Sequence, residues 1–229
     1  MEIGELIGTG RTADVFALDG ERVLRRYRDG LRAAGEAEVM AYLGERGYPV
    51  PAVWPAASAD SLVMQRLSGG TMLEALSEGA ITPEECGAVL ADLLRRLHAI
   101  PAQASADPGH RVLHMDLHPD NVMLTPQGPI VIDWGTATEG PPGLDSAMAA
   151  LILAQAALTV PGVEAAARAV LASLLRHLGG TGGMLLDEAK ARRAANPTMS
   201  REEVARLDDA IALILESAGA VPVPDPASA

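Results

Sequence analysis

Hydrophobic residues alternate with polar ones in the first third of the chain and recur at helical spacing afterwards. Arg22-Val23-Leu24-Arg25-Arg26-Tyr27 has period two, with Val23 and Arg25 on one strand face and Leu24 and Arg26 on the other. Glu5-Leu6-Ile7 and Asp14-Val15-Phe16-Ala17 read as strands on either side of a Gly8-Thr9-Gly10 turn, and Asp60 to Leu67 as another strand. Asp19-Gly20 and Asp29-Gly30 are turns bounding the Arg22–Tyr27 strand. Residues 31–43 switch to helical spacing. Glu36, Val39, Met40 and Leu43 share one face, which leaves a carboxylate on the edge of a buried stripe. Residues 48–55 hold too many prolines for a central strand.

Ser68-Gly69-Gly70 reads as a flexible joint, and helices dominate after it. Thr82-Pro83-Glu84-Glu85 is a helix start, with a threonine cap, proline at the first position and acids in the first turn. An apolar stripe then runs through Val89, Leu90, Leu93, Leu94 and Leu97 to His98. Residues 144–158 are almost wholly apolar and predict a buried helix. Asp145 at its mouth must therefore be paired or hydrogen-bonded. Further helices are expected over 162–177, 185–195 and 198–217. The expected class is α+β: a small β-rich lobe with one main helix (1–67), a linker (68–70) and a larger, mainly helical lobe (71–219). Residues 220–229, rich in proline, are expected to be disordered.

Composition narrows the function classes. Thirty acids against 18 bases give a net charge of −12, which argues against nucleic acid as a partner and is compatible with a polar or cationic small substrate. The single cysteine, Cys86, excludes an internal disulfide framework and fits a reducing compartment. Its place early in a helix, with no partner base, favours burial over nucleophilic use. No charge-free apolar run reaches membrane-spanning length, and the first residues carry acids where a signal peptide needs bases. A cytoplasmic protein with no membrane partner is expected; its oligomeric state is not read from the pattern.

The chemistry is concentrated between His114 and Asp133. His114, Asp116, His118, Asp120, Asn121 and Asp133 surround two short apolar runs, Val122–Leu124 and Ile130–Ile132, joined by the turn-forming Thr125-Pro126-Gln127-Gly128-Pro129. A hairpin of this kind holds Asp116 and Asn121 at one end of its first strand and returns Asp133 to the same end. Asp116 can orient a hydroxyl and accept its proton. Asn121 offers a neutral oxygen and Asp133 a charged one, an inventory that suits Mg2+ on a polyphosphate. A zinc site from His114, Asp116 and His118 lacks a histidine or cysteine to finish a tetrahedral set.

His114-Met115-Asp116-Leu117-His118-Pro119-Asp120-Asn121, followed by Ile132-Asp133-Trp134-Gly135, resembles the protein-kinase-like superfamily, and within it the aminoglycoside phosphotransferase and choline kinase group. The resemblance spans about residues 3–160. It implies a two-lobed kinase-like fold, ATP (or GTP) and Mg2+ as cofactors, and transfer of the γ-phosphate to a hydroxyl of a small, aminoglycoside-like or amino-alcohol acceptor. It implies Asp116 as base or orienting residue, His114 as a brace of the catalytic loop, and Asn121 and Asp133 as metal ligands. Gly8, Thr9 and Gly10 would cover the phosphates. Gln65 to Leu67 would meet adenine through the main chain, and Asp145 would receive N–H groups of the catalytic loop. Arg25, tethered by Glu36, stands where the family carries lysine, since the one lysine is Lys190. Ala13 replaces a third glycine. The lysine replacement motivates an alternative, a weak or inactive kinase-like nucleotide-binding module. A protein kinase fits poorly with only twelve positions from Asp133 to Asp145. Acids open to an amine-bearing acceptor are Glu139, Asp187, Glu188, Glu202, Glu203, Asp208 and Asp209.

Overall fold

The computed structural model describes residues 3–10, 12–28 and 33–219. The Asp29-Gly30 turn, the first two residues of the expected 31–43 helix and the 220–229 tail lie outside them. In chain order the elements are β1 (Leu6–Thr9), β2 (Ala13–Ala17), β3 (Arg22–Tyr27), α1 (Ala34–Gly44), β4 (Val53–Trp54), β5 (Ser61–Gln65), α2 (Met72–Ser77), α3 (Pro83–Leu97), β6 (Arg111–Leu113), β7 (Val122–Thr125), β8 (Gly128–Val131), β9 (Thr138–Gly140), α4 (Pro142–Thr159), α5 (Glu164–Leu178), α6 (Leu186–Ala194), α7 (Arg201–Ala205) and α8 (Leu207–Gly219).

By internal packing the chain divides into two compact units, one of residues up to Thr71 with Asp120–Ala137, the other of Met72–Pro119 with the residues from Thr138 onward. The first unit is built on an antiparallel sheet of order β1-β2-β3-β5-β4. The proline-rich segment supplies only the short β4 at the sheet edge, where a missing N–H costs no ladder bond. Val23 and Leu24 of β3 and Leu62 and Val63 of β5 are buried, as are Met40 and Leu43 of α1. The β7–β8 hairpin groups with this unit, not with the helices around it in sequence. Val131 N–H donates to the Pro49 carbonyl (2.8 Å), Leu124 N–H to Gly70 (2.9 Å), and Trp134 is buried edge-on against Tyr48. Gly69, at φ 119°, lies so close to the Leu124 carbonyl that a Cβ would come within 2.1 Å of it, so the expected joint is stitched to the hairpin.

In the second unit α3 packs on α5, and α4 on α5, α6 and α8. Leu90, Leu93, Leu94 and Leu97 of α3 are fully buried, each worth about 1.5–3 kcal/mol. The threonine cap forms as a capping box with Glu85. Gly87 allows α3 and α5 to meet: a Cβ there would lie 2.5 Å from that of Ser173. α4 is the one helix among the described residues long and apolar enough to cross a membrane, and 67% of it is buried within the protein. The helix expected over 198–217 is two. Ser200 caps α7, and at Arg206 an N–H to the Glu203 carbonyl tightens the turn before α8 buries Leu207, Ala210 and Ile214.

Candidate active site

The first unit gathers its charged groups around Arg25. Strand alternation turns Arg25 of β3 to the face that carries α1, and both side chains there are buried. Its Nη1 donates to Glu36 Oε1 (3.0 Å) and its Nη2 to Asp133 Oδ1 (2.6 Å). Arg26, one position on, is exposed and lies over Phe16 instead. Glu36 also accepts the Tyr27 hydroxyl and the Trp134 N–H (3.2 Å). Burial pushes the Glu36 carboxyl up to about 7; Arg25 pulls against this, and the Asp133 charge adds to it.

Asp133 follows β8 in the left-handed region (φ 63°), an uncommon setting for a residue with a Cβ, and its side chain remains 46% exposed. Asn121 immediately precedes β7. Its carbonyl accepts the Ile132 N–H (3.0 Å), which fixes Asn121 and Asp133 at the same end of the hairpin. One exposed carboxylate and one amide oxygen, beside a guanidinium that must balance two acids, form a donor set with negative charge in excess. These residues fit Mg2+, which needs few protein ligands when phosphates supply the rest. Among the described residues no group of three His, Cys, Asp or Glu could hold a metal ion.

The glycine segment forms a hairpin displaced from its expected position. Gly8 and Thr9 lie within β1, paired with Val15 and Asp14, and Gly10 N–H donates to the Ala13 carbonyl (2.8 Å). The reason is the register, in which a bulge between Leu6 and Gly8 carries β1 further than the apolar run. Gly8 has no positive φ, and a Cβ there would approach nothing nearer than 3.7 Å. Folding alone does not require glycine at this position. At the end of β5, Gln65 N–H is already bound to the Ala52 carbonyl (2.8 Å), and its side chain accepts the Ala52 N–H (3.3 Å). The Leu67 main chain has no hydrogen-bond partner among the described residues.

In the second unit the fully buried Asp145 of α4 organises the loop after β6. It accepts the His114 N–H (3.0 Å) and the Met115 N–H (2.7 Å), and lies 3.1 Å from His98 Nε2. Burial opposes its charge, but the His98 bond and charge and the His114 N–H outweigh it and hold the carboxyl below the usual range. Met115 is thereby kept at φ 67°. His114 is fully buried, and its Nδ1 accepts the Asp116 N–H (3.2 Å), an orienting role with no exposed acid. The Asp116 carboxyl is also lowered: burial raises it, but His118 at 3.7 Å, His114 and Arg193 together prevail. Arg193 Nη1 of α6 lies 4.0 Å from Asp116 Oδ1.

Sequence reasoning missed four residues here. His98 reads as a helix end and is one, yet it also pairs with Asp145. Tyr27 reads only as a strand residue. Arg193 and the buried Gln155 that binds its Nε come from helices far along the chain. Only Gln155 left a signal, as the polar residue inside Leu151–Leu158.

A family profile described as "Phosphotransferase enzyme family" matches residues 4–112 and 104–192. No curated protein sequence matches. Among solved structures, the chain is similar to the streptomycin–ATP ternary complex of APH(2'')-IIa, with TM-score 0.59 and 16% identity over 94% of this chain and 91% of that one. A choline/ethanolamine kinase family protein from Mesorhizobium loti gives TM-score 0.56 and 14% identity over 95% and 92%. A thermostable mutant of APH(4)-Ia with ADP and hygromycin B gives 0.54 and 15% over 96% of each chain. At these identities the likeness is one of fold, and it agrees with the α+β kinase-like class expected.

Proposed function

The chain belongs to the phosphotransferase enzyme family, and from that premise we propose that it is an ATP-dependent kinase of a small hydroxylated acceptor. The arrangement that carries this reading is Arg25 held between buried Glu36 and half-exposed Asp133, with Asn121 at the same hairpin end. Asp133 and Asn121 would hold Mg2+, which when bound supplies charge compensation on the phosphates. Arg25 would contact the α- or β-phosphate while Glu36 fixes its fork. Gly8 to Gly10 would lie over the phosphates, where the missing Cβ leaves room for close approach. The main chain of Leu67, more than that of Gln65, would meet adenine; GTP is the other nucleotide to test.

Asp116 would orient the acceptor hydroxyl and take its proton. A lowered carboxyl is a weak base, and phosphoryl transfer asks mostly for alignment, so the two are compatible. His114 and Asp145 position this loop and touch no substrate. The test is ADP release with Mg2+, ATP and a broad acceptor panel, comparing the wild type with Asp116→Asn. Acceptor-dependent release lost by about 100-fold or more in the variant, with ATP binding intact, supports the reading.

The Arg25–Asp133 ion pair favours one second reading, a nucleotide-binding module with little or no turnover, in which Arg25 keeps Asp133 for itself. It predicts ATP binding indifferent to Mg2+ and no ADP release with any acceptor. The acid-rich composition is compatible with a polar or cationic acceptor, but Arg193, beside Asp116, is itself a cation.

A further inference from the structure

Arg193 has no part in the roles assigned above, yet its placement is costly. Its Nε donates to the side-chain oxygen of Gln155, which is 4% exposed in the mostly apolar α4, and the Gln155 amide in turn donates to the Glu203 carbonyl (3.3 Å). A buried glutamine in such a helix is unfavourable unless its polar atoms are all used. Here its oxygen is used to aim a guanidinium. The far end of that guanidinium, Nη1, lies 4.0 Å from Asp116 Oδ1, at the outer limit of an ion pair, with the arginine side chain 19% exposed.

The acids that an amine-bearing acceptor would need are mostly occupied. Glu139 binds the N–H groups of Gln103, Ala104 and Ser105. Glu188 pairs with Arg192, Asp208 with Lys190 and Asp209 with Arg206, and Glu203 closes the Ser200 capping box. An ammonium arriving beside Asp116 would meet a like charge in Arg193.

We propose that the acceptor carries an anionic group, carboxylate or phosphate, near the hydroxyl that is phosphorylated, and that Arg193 binds this group. The inference rests on the kinase reading above. In the reaction the bond from the γ-phosphorus to the β,γ-bridging oxygen breaks and a bond from the acceptor oxygen to that phosphorus forms. The hydroxyl proton passes to Asp116 and the bridging electron pair leaves on ADP. Arg193 takes no part in these exchanges; it sets which hydroxyl arrives. A planar fork suits either anion.

The experiment is ADP release from ATP with Mg2+ and three matched sets of acceptors. Glycerate and gluconate represent carboxylates, glycerol 3-phosphate represents phosphates, glycerol and glucose are their neutral counterparts, and ethanolamine, choline and kanamycin are cations. The wild type is expected to favour an anionic acceptor over its neutral counterpart by at least about tenfold in kcat/KM, and the better arm tells carboxylate from phosphate. Arg193→Gln is expected to raise KM for that acceptor about 10- to 100-fold and leave KM for ATP within about twofold, and Arg193→Lys to recover part of the loss. Best turnover with a cation, or equal turnover of anionic and neutral partners, overturns the inference and leaves the kinase reading standing. So does a variant that lowers kcat for all acceptors at unchanged KM. No release with any acceptor removes both. The wild-type comparison decides the matter even if the variants fold poorly.

Discussion

Replacing Asp145 by asparagine changes one heavy atom and almost no volume, and the cost follows from the loop it holds. The two carboxylate oxygens receive the His114 N–H (3.0 Å), the Met115 N–H (2.7 Å) and His98 Nε2 (3.1 Å) at a site with no solvent exposure. An asparagine keeps one acceptor and turns a donor toward another donor. Leaving one buried N–H unsatisfied costs about 1–3 kcal/mol, and each bond that loses its charged partner is weaker by about 1 kcal/mol. The total is about 3–4 kcal/mol, a large share of the roughly 5–15 kcal/mol typical of a whole domain. Urea unfolding followed by far-UV circular dichroism is expected to show the midpoint fall by about 1–2 M. The pH dependence supplies a second check. The Asp145 carboxyl is lower in the folded chain than its unfolded value of 3.8, so its contribution is present above 3.8 and is lost as pH falls through the depressed folded value. The gap between wild type and variant should therefore close in acid. A loss under about 1 kcal/mol at neutral pH, or a gap that persists in acid, would refute the claim that this carboxylate holds the loop.

Three further outcomes follow from the packing. Gly69→Ala places a Cβ within 2.1 Å of the Leu124 carbonyl at φ 119°; a loss of about 2 kcal/mol or more is expected in thermal or urea unfolding, whereas Gly128→Ala, at φ 112° but with nothing within 4 Å, should cost less. Cys86 is fully buried with its thiol pushed up to about 12, so iodoacetamide should label it only after unfolding; labelling in native buffer would contradict its placement. Arg25→Met leaves Glu36 without its cation at a cost of about 3 kcal/mol. Because the folded Glu36 carboxyl stands above its unfolded value of 4.5 and rises further without Arg25, stability of the variant should fall as pH rises, so melting at pH 6 and 8 should show the wider gap from wild type at pH 8.

Much of this was legible in the chain because local chemistry fixed it. Period two in Arg22–Tyr27 put Arg25 on the face of Val23, and the capping sequence at Thr82 started α3 where it was read. The apolar 144–158 run demanded a partner for Asp145, and the structure supplies three. What was not legible depended on register or on distant partners. Gly8 and Thr9, read as a turn, fall within β1 because a bulge, invisible in composition, shifts its pairing between Leu6 and Gly8. The hairpin from Val122 to Val131 lies between helices in sequence, but its hydrogen bonds run to Pro49 and Gly70. Arg193 shares α6 with Arg192, a residue of the same type that pairs with Glu188 on the surface. Nothing short of the fold distinguishes the two.

The arginine at position 25 is better understood as part of a different charge design than as a weakened lysine. A lysine offers one compact charge that rotates among partners, whereas the guanidinium presents two N–H groups in a fixed plane. Here those groups are divided between carboxylates from separate parts of the sequence, Glu36 at 3.0 Å and Asp133 at 2.6 Å. One cation thus stands between two anions, with Tyr27 beside them and its ring 5.0 Å from the guanidinium carbon. Burial raises the carboxyl of Glu36, the more buried acid, to about 7, and the charge of Asp133 adds to the rise while Arg25 opposes it. The Asp133 side chain stays 46% exposed. One cation between two carboxylates leaves the site one positive charge short, at the hairpin end that Asn121 shares with Asp133. A cation added at Asp133 would make up that charge. The arginine therefore leaves negative charge in excess at Asp133, which under the proposed kinase reading is what a metal ion would meet, and it ties that excess to the geometry of one rigid fork.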